Sequence, residues 1–177
     1  MTTLYYFRND LRLHDNECLH RAAQHDGPLL CVYVLDPRQY ECLNLGFRKT
    51  GYLRFHFLME TLAALRADLQ ALGSGLLLRV GRPEAVLPAL VKAHQVGHLY
   101  FQQEVTSEER AVERALQQAL QGQPCTLHPI WGSTLYHIDD LPFQATATPL
   151  TSKTFRKQLK GVAIRPCWPT PQRLPPP

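Results

Sequence analysis

The segment FRNDLRLHDNE, residues 7–17, places five ionic residues and two asparagines within the ten positions from Arg8 to Glu17. Its Phe7 closes TLYYF, residues 3–7, whose residue types suit a strand entering a core. No core can bury such charges unpaired. Arg8, Asp10, Arg12 and Asp15 therefore either make a solvated turn or face one another and a ligand. Glu104 closes the run LYFQQE, at the expected carboxyl end of a second strand and just before a helix start. A carboxylate there can accept hydrogen bonds from a ligand's amino or ring N–H groups, although an acid near a helix N-terminus is also favoured by the helix dipole alone. Arg48 and Lys49 precede the longest predicted helix, where they suit an anionic ligand tail or plain surface charge.

The motifs of several chemistries are missing. LGSGLLLRVG carries glycines, but it precedes a strand and lacks the lysine and hydroxyl of a phosphate loop; it reads as a helix end and a turn. The eight histidines include no HExxH and no paired metal-ligand spacing. There is no GxSxG, and each cysteine lies in or near an apolar run. No residue set in the chain demands catalysis.

The elements that must position these residues alternate in type. TLYYF and PLLCVYVL read as strands, with DNECLHRAAQHDG between them as a helix bounded by Asp/Asn and Gly27. A helix is predicted from about Lys49 to Leu72, with Phe55, Leu58, Leu62, Leu65, Leu69 and Leu72 forming one apolar stripe. LLLRV follows as a buried strand. RPEAVLPALVKAHQVG opens with Pro83 at the first helical position and ends before Gly97. HLYFQ is the next strand, and TSEERAVERALQQALQG places Thr106 and Glu109 as a capping box. CTLHPIWG is the last clear strand. Strands alternating with such helices imply parallel pairing and right-handed crossovers. The fold class is α/β: a Rossmann-like, doubly wound, five-stranded parallel sheet with helices on both faces, over residues 1–135. Ligands of such sheets sit beyond the carboxyl ends of the strands, which directs attention to the loops 8–16, 36–49, 81–84, 102–108 and 131–137.

The composition, 45% hydrophobic and 19% charged over 177 residues, fits one folded domain with a tail. The net charge of +4 divides unevenly: after Asp140 there are six basic residues and no acidic one, so the first 140 residues carry −2. Eight of the fourteen prolines also follow Asp140. Residues 136–177 therefore read as a basic, Pro-rich extension, a solvated helix plus linker whose charge could also touch phosphate. No apolar run approaches a membrane span, and no secretory signal opens the chain. Five scattered cysteines without a CxxC pair point to a reducing compartment, hence the cytoplasm.

FRNDLRLHDNE resembles the signature that opens the photolyase/cryptochrome family. The blocks KTGYLRFHFLMETLAALRADLQALGSGLLLRVGRPEAVLPAL, QEVTSEERAVE, WGSTLYHIDDLPF and TSKTFRKQLK agree in order and spacing, so the resemblance covers roughly residues 3–166. WGSTLYHIDDLPF together with the opening signature is similar to the cryptochrome DASH branch. The resemblance implies an antenna-chromophore-binding domain, followed by a linker and a separate helical domain that holds FAD and the damaged-DNA site. The implied antenna is a reduced folate, methenyltetrahydrofolate, passing near-UV energy to FAD for repair of cyclobutane pyrimidine dimers, chiefly in single-stranded DNA. Glu104 matches the glutamate that contacts the pterin ring in folate-binding relatives. Asp36, Arg48 and Lys49 lie in segments that line the crevice in relatives with flavin-type antennas. Arg8, Asp10, Arg12 and Asp15 match the signature loop, where mutual ion pairs would shape the sheet edge and support the domain interface. The rival reading is a stand-alone, non-enzymatic ligand-binding or protein-interaction module, self-associating through an uncovered interface.

Overall fold

The computed structural model describes residues 1–177. Five strands, β1 (Thr2–Phe7), β2 (Leu29–Leu35), β3 (Leu76–Val80), β4 (Val96–Gln103) and β5 (Thr126–Trp131), form one sheet in the order β3-β2-β1-β4-β5. Every pairing is parallel. Helices α1 (Glu17–Ala22), α2 (Tyr52–Ala71), α3 (Pro83–Ala93) and α4 (Ser107–Ala119) join successive strands, and α5 (Ser152–Gln158) follows. The chain steps outward from β1 to β3, returns past β1 to β4 and ends the sheet at β5, so the winding reverses between β1 and β4.

The two-residue alternation of the strands divides the core. Leu4, Tyr6, Leu30 and Val32 pack with Leu87 of α3 and Leu116 of α4. Tyr5, Phe7, Leu29 and Cys31 pack with Leu19 of α1 and Leu62 of α2 on the other face. Both faces are thus covered, as an all-parallel sheet requires.

The apolar stripe of α2 forms as expected: Leu62, Leu65 and Leu69 are buried, Leu58 and Leu72 pack against the same core, and Phe55 is partly covered, while Tyr52, Leu53 and Phe57, outside the stripe, are exposed. A twenty-residue helix spans about 30 Å, whereas the seven residues of β2 span about 23 Å. The first turns of α2 accordingly overhang the sheet. Two local expectations need correction, at Gly97 and at Thr106. Gly97 is not a helix stop; it lies inside β4, where a Cβ would come within 2.8 Å of Met1 Sδ. Thr106 does occupy the N-cap of α4, but its side chain makes no capping bond.

Asn16 is a cap of the other kind. Its Oδ1 accepts the Leu19 N–H at 2.9 Å, while its Nδ2 donates to the Tyr5 hydroxyl at 2.8 Å and the Arg12 carbonyl at 2.9 Å. Asn16→Ala is expected to lower stability by about 2 kcal/mol or more, the loss of a cap plus buried groups left unpaired. Thr106→Ala should stay within about 0.5 kcal/mol of the parent in the same urea titration.

The C-terminal segment is more than a solvated linker. Lys153, Arg156 and Lys157 of α5 are exposed, and Arg165 pairs with Asp140 at 2.6 Å. The chain then returns to the body: the Trp168 carbonyl accepts the Asp15 N–H, the Leu174 N–H donates to the Leu72 carbonyl, and Leu29 donates to Pro176. Leu174 is buried among the residues facing α1 and α2.

Candidate functional site

A cavity of about 470 Å³ opens where the winding reverses, lined from the ends of β1, β2 and β4 and from α2 and α4. Doubly wound sheets bind ligands at this position, and the volume is that of a small-molecule site.

Arg8 leaves the end of β1 and crosses to the end of β4. Its Nη1 donates to the Gln102 carbonyl at 3.1 Å and to Glu113 Oε1 at 2.5 Å, and its Nη2 lies 3.3 Å from Glu104 Oε2. The three side chains are 7%, 11% and 15% exposed for Arg8, Glu104 and Glu113, so this is a buried ionic cluster. Asn9 Nδ2 donates to Glu104 Oε1 at 2.5 Å, and the Glu104 N–H donates to Glu113 Oε1 at 2.9 Å. Glu109, the expected capping-box partner of Thr106, lines the cavity. Burial raises the Glu104 carboxyl above the ordinary carboxylate range, against the opposing pull of Arg8 and Asn9.

The signature loop thus pairs differently from the mutual scheme expected of it. Arg12 does meet Asp15, at 3.6 Å, and donates to the Asp15 carbonyl at 2.8 and 3.0 Å. Arg8 instead joins partners about a hundred residues away, because β4 lies beside β1. Asp10 has no cationic partner within salt-bridge distance. Its buried carboxylate accepts the Arg8 N–H at 2.9 Å and the Tyr5 hydroxyl, and burial raises its pKa. Asp15 sits at a φ of 51°, a left-handed position that Asp tolerates, and its Oδ1 accepts the Trp168 N–H at 3.3 Å.

The opposite wall comes from β2 and α2. Tyr33, Arg54 and Phe57 line it, and burial is the main reason that the Tyr33 phenol rises to about 12. Asp36 lines the cavity as well, but its charge is committed to Arg38, which also holds Glu84 at 2.9 Å. Lys49 lies outside the lining and pairs with Glu108, which is part of it. Arg48 is exposed, outside the lining and without an ion pair. Of the four lining carboxylates, Asp36, Glu104 and Glu108 are each paired with a cation, Arg38, Arg8 and Lys49 respectively, whereas Arg54 in the lining has no ion pair. The sequence reading missed Asn9, Tyr33, Arg54 and Glu113. Asn9 lay in the opening segment and in a loop already singled out, and Glu113 follows Glu109 by one helical turn and shares its face, whereas Tyr33 and Arg54 carried no local signal.

The profile of the DNA photolyase family matches residues 3–176. The chain belongs to this family. A cryptochrome DASH from Gloeobacter violaceus is 46% identical over 176 residues, which make up 99% of this chain and 35% of that protein. The cryptochrome DASH of Synechocystis is 42% identical over 175 residues, 98% of this chain and 36% of that protein. A solved Synechocystis cryptochrome superposes with a TM-score of 0.96 at 42% identity, covering 99% of this chain and 37% of the other. An archaeal photolyase from Sulfolobus tokodaii, solved with two FAD molecules, shares the fold at a TM-score of 0.82 and 19% identity. The chain therefore spans about a third of the length of the relatives it matches, and it corresponds to the photolyase/cryptochrome N-terminal domain of the DASH kind. Photolyases and cryptochromes bind an antenna chromophore and FAD. No helix of this photolyase-family chain is long and apolar enough to cross a membrane.

Proposed function

We propose that this domain binds the antenna chromophore of a DASH-type cryptochrome/photolyase, and that the antenna is a reduced folate, methenyltetrahydrofolate, held at Glu104. The observation that carries this reading is a largely buried carboxylate aimed into a cavity of about 470 Å³. Each Glu104 oxygen has one protein partner, Asn9 for Oε1 and Arg8 for Oε2. A carboxylate offers about four acceptor sites, so Glu104 keeps capacity for the amino and ring N–H groups of a pterin. Arg8 and Asn9 hold that carboxylate in one orientation, and Tyr33 and Phe57 offer the apolar surface against which a flat ring packs. Arg48 and Lys49, the cations matched to relatives with flavin-type antennas, lie outside the lining, which favours the folate over a flavin.

When bound, the folate would absorb near-UV light and pass the energy to FAD on the helical domain of the longer protein. That domain and single-stranded DNA carrying pyrimidine dimers are the partners we assign, with residues 136–177 leading towards the helical domain. The exposed Tyr52, Leu53 and Phe57 beside the cavity suit an interface with it.

Glu104→Gln in the full-length protein tests the reading. Hydrogen bonds to a charged group contribute about 1.5–3 kcal/mol, so folate affinity, read by absorbance titration, should fall about tenfold to a hundredfold. Unchanged affinity would mean that the antenna does not sit on Glu104.

A further inference from the structure

Towards the amino ends of the strands, on the side of the sheet that carries α1, four rings lie against one another. His98 and Tyr100 come from β4, His128 from β5, and His25 from the turn between α1 and β2. His98 Nδ1 is 3.0 Å from His128 Nε2, and His25 Nε2 is 2.7 Å from the Tyr100 hydroxyl. His25 stacks on His98 with centroids 4.2 Å apart, and Tyr100 stacks on His128 at 4.2 Å and 9°.

Arg21 and the Cys18 thiol face the cluster from α1, and the Met1 ammonium faces it from the start of β1. Glu17, the nearest carboxylate on α1, is paired with Arg21 at 2.6 Å. The ring nitrogens do not converge as a metal set, and no carboxylate supports one. What the geometry excludes is the doubly protonated pair. In the His98–His128 contact one nitrogen must donate and the other accept; two imidazolium rings would both present donors. Burial, and then the neighbouring histidines, push the His98 and His128 pKa values down.

We propose that this cluster is a proton-sensitive latch: neutral, it holds the turn after α1 against β4 and the edge strand β5, and protonated, it releases them. A histidine whose folded pKa is lowered contributes stability that is present above the ordinary imidazole value of about 6.5 and is lost as pH falls through the folded value. Asp10 and Glu104, whose values are raised, act with the opposite sign, so they cannot produce a loss on acidification.

The test is amide hydrogen exchange of the 177-residue chain at pH 7.5 and 5.5, corrected for intrinsic rates. Each histidine kept neutral raises the opening constant by up to about tenfold per pH unit. Protection of β5 and of the turn at His25 should therefore fall at least about tenfold on acidification, while β1 and β2 hold theirs. His98→Gln/His128→Gln should flatten that response, whereas His56→Gln, exposed on α2, should leave it intact. If the double variant does not fold, His128→Gln alone should roughly halve the logarithm of the loss. A response undiminished in either cluster variant, or a loss spread evenly over the sheet, overturns the latch.

Discussion

Replacing Arg8 by Met is expected to cost about 3–5 kcal/mol at neutral pH, the range for removing one member of a buried ionic cluster. The guanidinium holds Gln102, Glu104 and Glu113 at once, so its loss leaves two carboxylates and a carbonyl without their donor at the junction of β1, β4 and α4. Arg8→Lys should recover little, because an ammonium is a point donor and cannot span three acceptors with planar geometry. The deficit should depend on pH in a defined direction. Burial already holds the Glu104 carboxyl high, and Arg8 opposes that effect; without Arg8 the pKa rises further. A carboxyl whose folded pKa exceeds its unfolded one contributes stability at low pH and loses it as pH rises through the folded value. Urea titrations of Arg8→Met should therefore show the largest deficit near pH 7–8 and a smaller one near pH 5. A further Glu104→Gln/Glu113→Gln change should restore much of the loss at neutral pH. A deficit that is the same at both pH values would mean that the two carboxylates are not the source of the cost.

The second large effect lies at the other end of the chain. Leu174→Ala should destabilise the domain by about 2–5 kcal/mol, as for other fully buried leucines. Leu174 is 2% exposed among the residues facing α1 and α2, and its N–H donates to the Leu72 carbonyl at 2.9 Å. Leu150, fully exposed in the same extension, provides the comparison: Leu150→Ala should stay within about 0.5 kcal/mol. Equal effects for the two leucines would show that the C-terminal segment does not close the core in solution.

Much of this domain could be read from local pattern. The strands around Leu4, Val32, Leu78 and Phe101 were legible because apolar and β-branched runs bounded by turn residues have few other uses. The start of α3 was legible because Pro83 is compatible with a first helical turn and hostile to a later one. Alternation of elements then required parallel strands, which located the ligand edge and with it Glu104. The signature blocks carried the family.

The rest depended on contacts that no window of sequence contains. Arg8 was expected to pair within its own loop, but the pairing of β1 with β4 places Glu104 and Glu113 closer to its guanidinium than Asp10 can come. The N-cap hydroxyl of Thr106 makes no capping bond, and Glu113 accepts the Glu104 N–H upstream of it. Leu174, in a Pro-rich run that reads as linker, is buried because its N–H binds the Leu72 carbonyl and its side chain joins the residues facing α1 and α2. The elements, their parallel pairing and the family could be read from the chain alone, because these follow from local propensity, periodicity and short motifs. Which charges meet, which apolar residues stay exposed on α2, and where the tail ends were decided by tertiary structure, because ion pairs and burial depend on distances between residues that the chain brings together only when the sheet is complete.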